Sequence, residues 1–376
     1  MRKERKLKAI GLIGAGGFAL NHLQLLVRGG SSHGLQLVAV ADPTELKETT
    51  AALLAEHGIR HYPDYEQMFD REALDGVFIA TPIPTHYAMT ESALRRGLRV
   101  YLEKPPVTSL GQLDELIRLD ANQLVQVGFN MNSWPAVRRT FARIRRGDFG
   151  AVGSIRVVGL WPRSTAYYSR AAWAGRMGSL PNLIFDGPAT NAMSHYVQLL
   201  CTAADAAGGG ALEEVRGEFY RARPIESYDT CSLAGRFAQG PRFSVVMSHA
   251  AGPESVMSLK IETERGVIHV DQSLLSRIGS SRLDNVLAHA HRDFGRLLHQ
   301  ELDRPRVTLS DCRCFLEIVS RGLADSGGIH TIPSGEISHE REGSEQLFVV
   351  RGLGAAAQRC AEGFLMFSEA GMPWRR

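Results

Sequence analysis

The residues best placed to do chemistry lie in Arg99-Val100-Tyr101-Leu102-Glu103-Lys104-Pro105-Pro106. Val100 to Leu102 is a β-branched and aromatic run with the character of a buried strand, and the two prolines forbid its continuation because neither can donate to a sheet ladder. The strand therefore stops at Lys104. In an α/β sheet the carboxyl ends of strands border the crevice where ligands bind, so the Lys104 ammonium can face a ligand there. A surface salt bridge between Glu103 and Lys104 uses the same two residues and is the plainer alternative.

A second constellation is Asp186-Gly187-Pro188-Ala189-Thr190-Asn191-Ala192-Met193-Ser194-His195. From Pro188 onward the pattern predicts a helix, which places Asn191 and His195 four apart on one face and so in one pocket. Asp186 either supplies a carboxylate to this group from the preceding loop or caps the helix. Upstream, the loop Arg163 to Met177 carries Tyr167, Tyr168, Trp173 and Arg176. Such residues suit carbohydrate, whose apolar ring faces stack on aromatics while its hydroxyls seek fixed donors; a loop clamp would use them equally well.

The elements needed to position these groups begin with Ala9-Ile10-Gly11-Leu12-Ile13 and Gly14-Ala15-Gly16-Gly17-Phe18-Ala19, which read as strand, tight turn and helix start. In this G-x-G-x-x-A pattern Gly14 allows the turn and Gly16 lets backbone approach a pyrophosphate. The small Ala19 lets the helix pack close to the strand, with its amino terminus toward the phosphates. A helix over Ala19 to Val27 and a strand over Leu35 to Ala41 complete the unit, and the strand ends at Asp42. A carboxylate there accepts from adenosine ribose hydroxyls and repels a 2′-phosphate, favouring NAD over NADP. Alternatively Asp42, which precedes Pro43, caps a helix over Glu45 to His57.

The same alternation continues with helices over Tyr65 to Phe69, Thr85 to Arg96 and Ser109 to Asn122, and strands over Gly76 to Ala80 and Leu124 to Gly128. The loop Thr81 to His86 then sits beside the end of the Val100 strand. Residues 1–129 form a first domain on this pattern, and 130–376 a second for substrate binding and oligomerisation, with closing helices able to pack back on the first.

Taken together, G-A-G-G-F, V-A-V-A-D-P, I-A-T-P-x-x-x-H, Y-L-E-K-P and V-G-F-N resemble the motifs of the Gfo/Idh/MocA oxidoreductase family, in that family's order. The resemblance implies an α/β chain with an amino-terminal Rossmann domain and a carboxyl-terminal α/β domain on an open-faced, mostly antiparallel sheet. It implies that Gly14, Gly16, Gly17, Phe18, Asp42 and Asn130 belong to the cofactor site. Thr81, Pro82 and His86 would line its nicotinamide half, Glu103 would meet the nicotinamide ribose, and Lys104 would contact the substrate hydroxyl that is oxidised. It carries His195 onto the catalytic histidine of a D-x-x-x-H stretch, with Trp173, Arg176, Asp186 and Asn191 beside the substrate. Here Asn191 stands at the aspartate position and Gln198 where a second aspartate often follows. An asparagine can orient a hydroxyl but cannot supply the negative charge that favours imidazolium, so the base is weaker.

Composition bounds the rest. The 376 residues, 44% hydrophobic and 22% charged, suit two globular domains. A formal net charge of +3 gives no electrostatic footprint for nucleic acid or an anionic membrane, so a small-molecule partner is expected. Five cysteines without CxxC spacing fit reduced thiols and a cytoplasmic location. Met1 to Lys8 carries five basic residues before a weakly polar run, yet Gly11, Gly14, Gly16 and Gly17 argue against a signal helix. Arg138, Arg139, Arg143, Arg145 and Arg146 lie at mixed helical phases and read as a solvated face. His289, His291, Asp293 and His299 read as a surface cluster, and no metal site is expected.

In the second domain, a strand over Ser154 to Trp161 precedes five runs between Val215 and Asp271 that predict a meander. Its open face would be covered in a homodimer or homotetramer. Helices over Asp293 to Leu302, Ser310 to Ser326 and Leu347 to Phe367 close the chain. The expected activity is hydride transfer between NAD and a secondary alcohol or ketone of a sugar, aminosugar or cyclitol. Lys104 would polarise the oxygen and His195 exchange the proton. Two alternatives stand beside it: a redox-neutral sugar-modifying lyase or hydrolase that retains NAD, and an NAD- and sugar-binding protein without turnover.

Overall fold

A computed structural model describes residues 6–179, 183–253, 255–271 and 282–374. Two compact units emerge, Met1–Trp134 with Ile278–Cys312, and Pro135–Arg277 with Arg313–Arg376. Met1 to Arg5, part of the basic amino-terminal run, lie outside the described residues.

The first unit is built on β1 (Lys8–Ile13), β2 (Leu35–Ala41), β3 (Arg60–Tyr62), β4 (Gly76–Ile79), β5 (Arg99–Leu102) and β6 (Val125–Val127), all parallel in the order β3-β2-β1-β4-β5-β6. Strand order reverses between β1 and β4, so the loops leaving those two strands open the ligand crevice of a doubly wound sheet. Every residue of β4 is buried, as expected of a strand covered on both faces. The sequence pattern did not single out β3, a short strand at the sheet edge in which Tyr62 alone is buried.

The helix Arg282–Leu298 belongs to this unit and not to the second domain. Ala290, Phe294, Leu297 and Leu298 recur at helical spacing and join the core of Ile10, Leu12, Phe78 and Tyr101. That docking overturns the expected surface cluster: His291 is fully buried, and Asp293 accepts from the Arg306 guanidinium at 2.9 and 3.2 Å. Among the described residues, no group of three or more His, Cys, Asp or Glu side chains could hold a metal ion.

Packing against this helix also buries His33, whose pKa falls from 6.5 to about 4 through desolvation, with smaller contributions from Arg292 and His289. An unfolded chain takes up this proton between pH 6.5 and about 4 while the folded chain does not, so stability is full above 6.5 and declines as pH falls through that window. Urea midpoints should therefore drop over this range. The drop should shrink in His33→Gln, and an unchanged slope would remove His33 as a cause.

The second unit carries β7 (Val152–Leu160), β8 (Leu212–Arg221), β9 (Thr230–Phe237), β10 (Arg242–Ser248), β11 (Val256–Thr263), β12 (Gly266–Asp271) and β13 (Ile329–Thr331), in the order β12-β11-β7-β10-β9-β8-β13. Five successive strands do not form a simple meander. β7 inserts between β10 and β11, parallel to the first and antiparallel to the second, and β13 pairs parallel with β8.

Both faces of the sheet centre are covered within one chain. Gly322 of the helix Arg313–Ser326 lies against Phe219 and Leu233, whereas the adjacent Tyr220 points oppositely, toward Phe367 and Trp374. On that second face the helix Leu353–Gly363 adds Leu353, Ala356, Ala357 and Cys360. Among the described residues, apolar side chains on both faces of these strands are thus packed within the chain. Val256 and Val267, on the outer strands, stay 42% and 49% exposed.

The run Leu347 to Phe367 is not one helix, because Leu347 to Val350 belongs to β15 (Glu345–Val350), paired with β14 (Ile337–Glu342). Its apolar and β-branched run favours a strand, and Gly352 at φ +69° turns the chain before the helix starts. The five cysteines are thiols, and among the described residues no helix is long and apolar enough to cross a membrane.

Candidate functional site

The glycine loop leaves β1 at Gly14, whose φ is +101° and whose N–H donates to the Ala41 carbonyl at 2.8 Å. A Cβ at Gly14 would lie 2.8 Å from the Ala80 carbonyl oxygen, so both the backbone angle and the approach of β4 demand glycine. At Gly16 and Gly17 a Cβ would meet nothing within 4 Å, so their bare backbone borders open space beside the amino terminus of the helix Ala19–Gly29. Phe18, 41% exposed, flanks this space. A cradle of this kind fits a pyrophosphate, which N–H groups and the helix dipole attract.

Asp42 secures the loop. One carboxylate oxygen accepts from the Ala15 N–H at 2.7 Å, and the other accepts from the Thr44 N–H at 2.9 Å and hydroxyl at 2.6 Å. The following helix, Glu48–Glu56, is flanked by Lys47 at its amino end, so Asp42 does not cap it. Carboxylate oxygens take two acceptor contacts each, which leaves the oxygen facing Ala15 able to accept from a ribose hydroxyl.

The loops after β4 and β5 are tied together by His86. This residue is 1% exposed, and its ring nitrogens lie 2.9 Å from the Pro105 carbonyl and 3.0 Å from the Thr81 carbonyl. Burial lowers its pKa, and a neutral ring donates to one of these carbonyls and packs against the other. Thr81 pairs with the Thr85 hydroxyl at 2.7 Å, and Pro82 is exposed. Asn130 is buried, its side-chain oxygen accepting from the Tyr101 hydroxyl.

Glu103 sits at the head of a buried relay. His22 Nε2 lies 3.0 Å from one Glu103 oxygen, and His22 Nδ1 lies 2.8 Å from His291 Nε2. Both rings are fully buried, and His291 Nδ1 has no hydrogen-bond partner. Burial, together with the neighbouring His22 and His33, holds the His291 pKa well below the ordinary histidine value, so its ring is neutral and carries one proton.

Leaving a buried N–H unmet costs more than leaving a bare ring nitrogen, because an orphaned donor forfeits a full hydrogen bond. A His291 proton on Nε2 is donated to His22 Nδ1, and the His22 ring then has Nε2 free to donate to Glu103. In this arrangement both donors point one way, toward the Glu103 carboxyl group. Its other oxygen accepts from the Lys104 backbone N–H at 3.1 Å. Neither His22 nor His291 belongs to a motif; only the three-dimensional return of the helix Arg282–Leu298 reveals them. The half-buried Lys104 follows directly on β5, at the carboxyl ends of the strands.

In the second unit, Pro188–Ala192 forms one π-helical turn, Met193 leaves helical geometry, and an α-helix runs over Ser194–Ala206. Asn191 and His195 therefore do not share a face of one continuous helix. They lie on consecutive segments joined by the Ser194 hydroxyl, which donates to the Asn191 carbonyl at 2.8 Å. Single π-turns recur at functional sites because the wider turn re-aims side chains.

Asp186, 2% exposed, accepts from the Asn191 side-chain amide at 2.8 Å and from the Gly175 N–H at 2.7 Å. It orients Asn191, while Gly187 occupies the position before the turn, so Asp186 is not a helix cap. Trp173 is half-buried and stacks on Arg170. Arg176, by contrast, forms an exposed ion pair with Glu226. Arg170, unmarked by any motif, reaches Asp186 at 3.9 Å.

Residues 8–131 match the family described as an oxidoreductase family with an NAD-binding Rossmann fold. The chain is 32% identical over 144 residues to scyllo-inositol 2-dehydrogenase (NAD(+)) of Bacillus subtilis, covering 37% of this chain and 40% of that protein. It thus spans less than half the length of the curated relatives it matches. Two crystal structures share its fold over most of its length. Myo-inositol 2-dehydrogenase from Lactobacillus plantarum has a TM-score of 0.69 at 21% identity, covering 86% of this chain and 98% of that one. The WlbA dehydrogenase from Bordetella pertussis, in complex with NADH and UDP-GlcNAcA, has a TM-score of 0.71 at 22% identity, covering 85% and 97%.

Proposed function

We propose, from the match of residues 8–131 to the Gfo/Idh/MocA oxidoreductase family with its NAD-binding Rossmann fold, that the chain is an NAD-dependent oxidoreductase acting on a secondary alcohol or ketone of a sugar, aminosugar or cyclitol. The observation that carries this reading is the open glycine cradle beside Asp42, together with Glu103 and its neighbour Lys104 at the carboxyl ends of the same sheet. Bound NAD would supply the hydride acceptor or donor.

The side chains take separate tasks. Gly14, Gly16 and Gly17 leave room for the pyrophosphate, Asp42 accepts from the adenosine ribose, and Glu103 accepts from the nicotinamide ribose. Lys104 stabilises negative charge on the substrate oxygen as its proton leaves. His195 takes that proton, and Asn191, held by Asp186, accepts from a substrate hydroxyl. The exposed Val256 and Val267 support a dimer or tetramer through the outer strands of the second sheet.

The test is spectroscopic: the protein is supplied with NAD and a panel of polyols, or with NADH and the matching ketones, and nucleotide absorbance is followed. Turnover of a polyol with no net NADH would replace this reading with the redox-neutral one. Nucleotide binding without reaction of either kind would leave a binding protein.

Cofactor choice gives a sharper prediction. NAD should bind at least about tenfold more tightly than NADP, since a 2′-phosphate would meet the Asp42 carboxylate. Asp42→Ala should narrow that gap while weakening NAD, because the Ala15 N–H loses its acceptor at 2.7 Å. Tighter NADP binding by the unaltered protein would overturn the assignment.

A further inference from the structure

Just past β7 the chain stacks rings and guanidinium groups alternately. Arg163 lies 3.6 Å from the Trp161 ring centre and 4.5 Å from that of Tyr167, and Arg170 lies 3.6 Å from Tyr167 and 4.7 Å from Trp173. Stacking occupies the faces of a guanidinium and leaves its N–H edges in plane, where they can grip two oxygens at once.

The charges around this ladder do not balance. Nearby Arg223 is matched by Asp229 at 3.1 Å. Arg170 donates one terminal nitrogen to the Tyr167 carbonyl, and its other stands 3.9 Å from the Asp186 carboxylate, which already accepts from Asn191 and Gly175. Arg163 makes no ion pair among the described residues, and its Nε is buried with no hydrogen-bond partner. Burial, and to a lesser extent the charge of Arg170, hold the Arg163 pKa below its ordinary value. A half-buried cation with one buried N–H unmet and no counter-ion is costly, and a ligand anion would relieve that cost. A neutral polyol would not.

We propose that Arg163 and Arg170 form a subsite for an anionic group of the substrate, a carboxylate or a phosphate borne on a sugar, with Trp161 and Trp173 offering ring faces to the sugar. The subsite connects to the proposed chemistry through Arg170, Asp186 and Asn191, and in that sense it rests on the reading above. Arg163 and Arg170 set specificity and take no part in proton or hydride transfer.

Calorimetric titration of the full chain, with and without NAD, tests it using glucuronate, glucose 6-phosphate, glucose and myo-inositol as probes. At least one anionic probe should bind about tenfold more tightly than glucose, and added salt should erode the difference. Glucuronate against glucose 6-phosphate identifies whether carboxylate or phosphate is preferred. Arg163→Met and Arg170→Met, which keep much of the side-chain length without the charge, should bring that probe to the level of glucose. Melting temperature and NAD affinity should stay unchanged in both variants. Equal binding of charged and neutral probes by the unaltered protein overturns the proposal, as does tight anion binding that survives both substitutions. If no polyol is oxidised but the anion preference holds, the dehydrogenase reading fails and the subsite stands.

Discussion

Lys104→Ala should lower the turnover number by roughly a hundred- to a thousand-fold, the loss expected when one preorganised donor to a developing oxyanion is removed. Affinity for NAD should change little, and the geometry explains why. Glu103 is held by His22 at 3.0 Å and by the backbone N–H of residue 104 at 3.1 Å, neither of which depends on the lysine side chain. The interaction removed is strongest when charge builds on the substrate oxygen, so kcat falls more than KM rises. Lys104→Arg should recover only part of the rate, because a planar guanidinium replaces a compact point charge on a different stem. Turnover near that of the unaltered protein in Lys104→Ala would take the residue out of the chemistry.

Local rules made the first sheet readable. Gly14 needs both a positive φ and a close approach to Ala80, and glycine at the turn after an apolar strand reports such a need directly. Pro105 and Pro106 mark the end of β5 because they cannot donate to the ladder. What escaped was non-local. His22 and His291 are 269 residues apart in sequence, and nothing near either one says that they meet. β7 entering between β10 and β11 is likewise a matter of topology, since alternation identifies a strand without naming its neighbours.

At Asn191 the regular 3.6-residue period meets a segment that widens to a π-turn, so the helix expected from Pro188 through His195 is not continuous. Conversely, the two carboxylate questions left open by sequence have structural answers. Asp42 binds the glycine loop and Asp186 binds Asn191, because each oxygen finds an N–H at 2.7 to 2.9 Å.

His195→Asn should reduce turnover by roughly a hundred- to ten-thousand-fold, the usual contribution of a general base, and should abolish the acidic limb of the rate profile. The limb has a definite sign. A base must be neutral to accept a proton, so rate is lost as pH falls, and an added anion nearby moves the limb to higher pH by favouring imidazolium. Restoring an aspartate by Asn191→Asp should nevertheless shift the limb only weakly. The Asn191 amide nitrogen lies 2.8 Å from an Asp186 oxygen, so the new carboxyl would face an existing carboxylate at hydrogen-bond distance. Two such groups share one proton, and the added charge appears only once the pair loses it at higher pH. Combining Asn191→Asp with Asp186→Asn keeps one carboxylate and one hydrogen bond while moving the charge to residue 191. That double variant should shift the limb further than Asn191→Asp alone, measured as the pH dependence of kcat/KM. Equal shifts in the two would show that Asp186 is not coupled to residue 191. A His195→Asn protein with full rate and the same acidic limb would make the histidine structural, whatever its neighbours do.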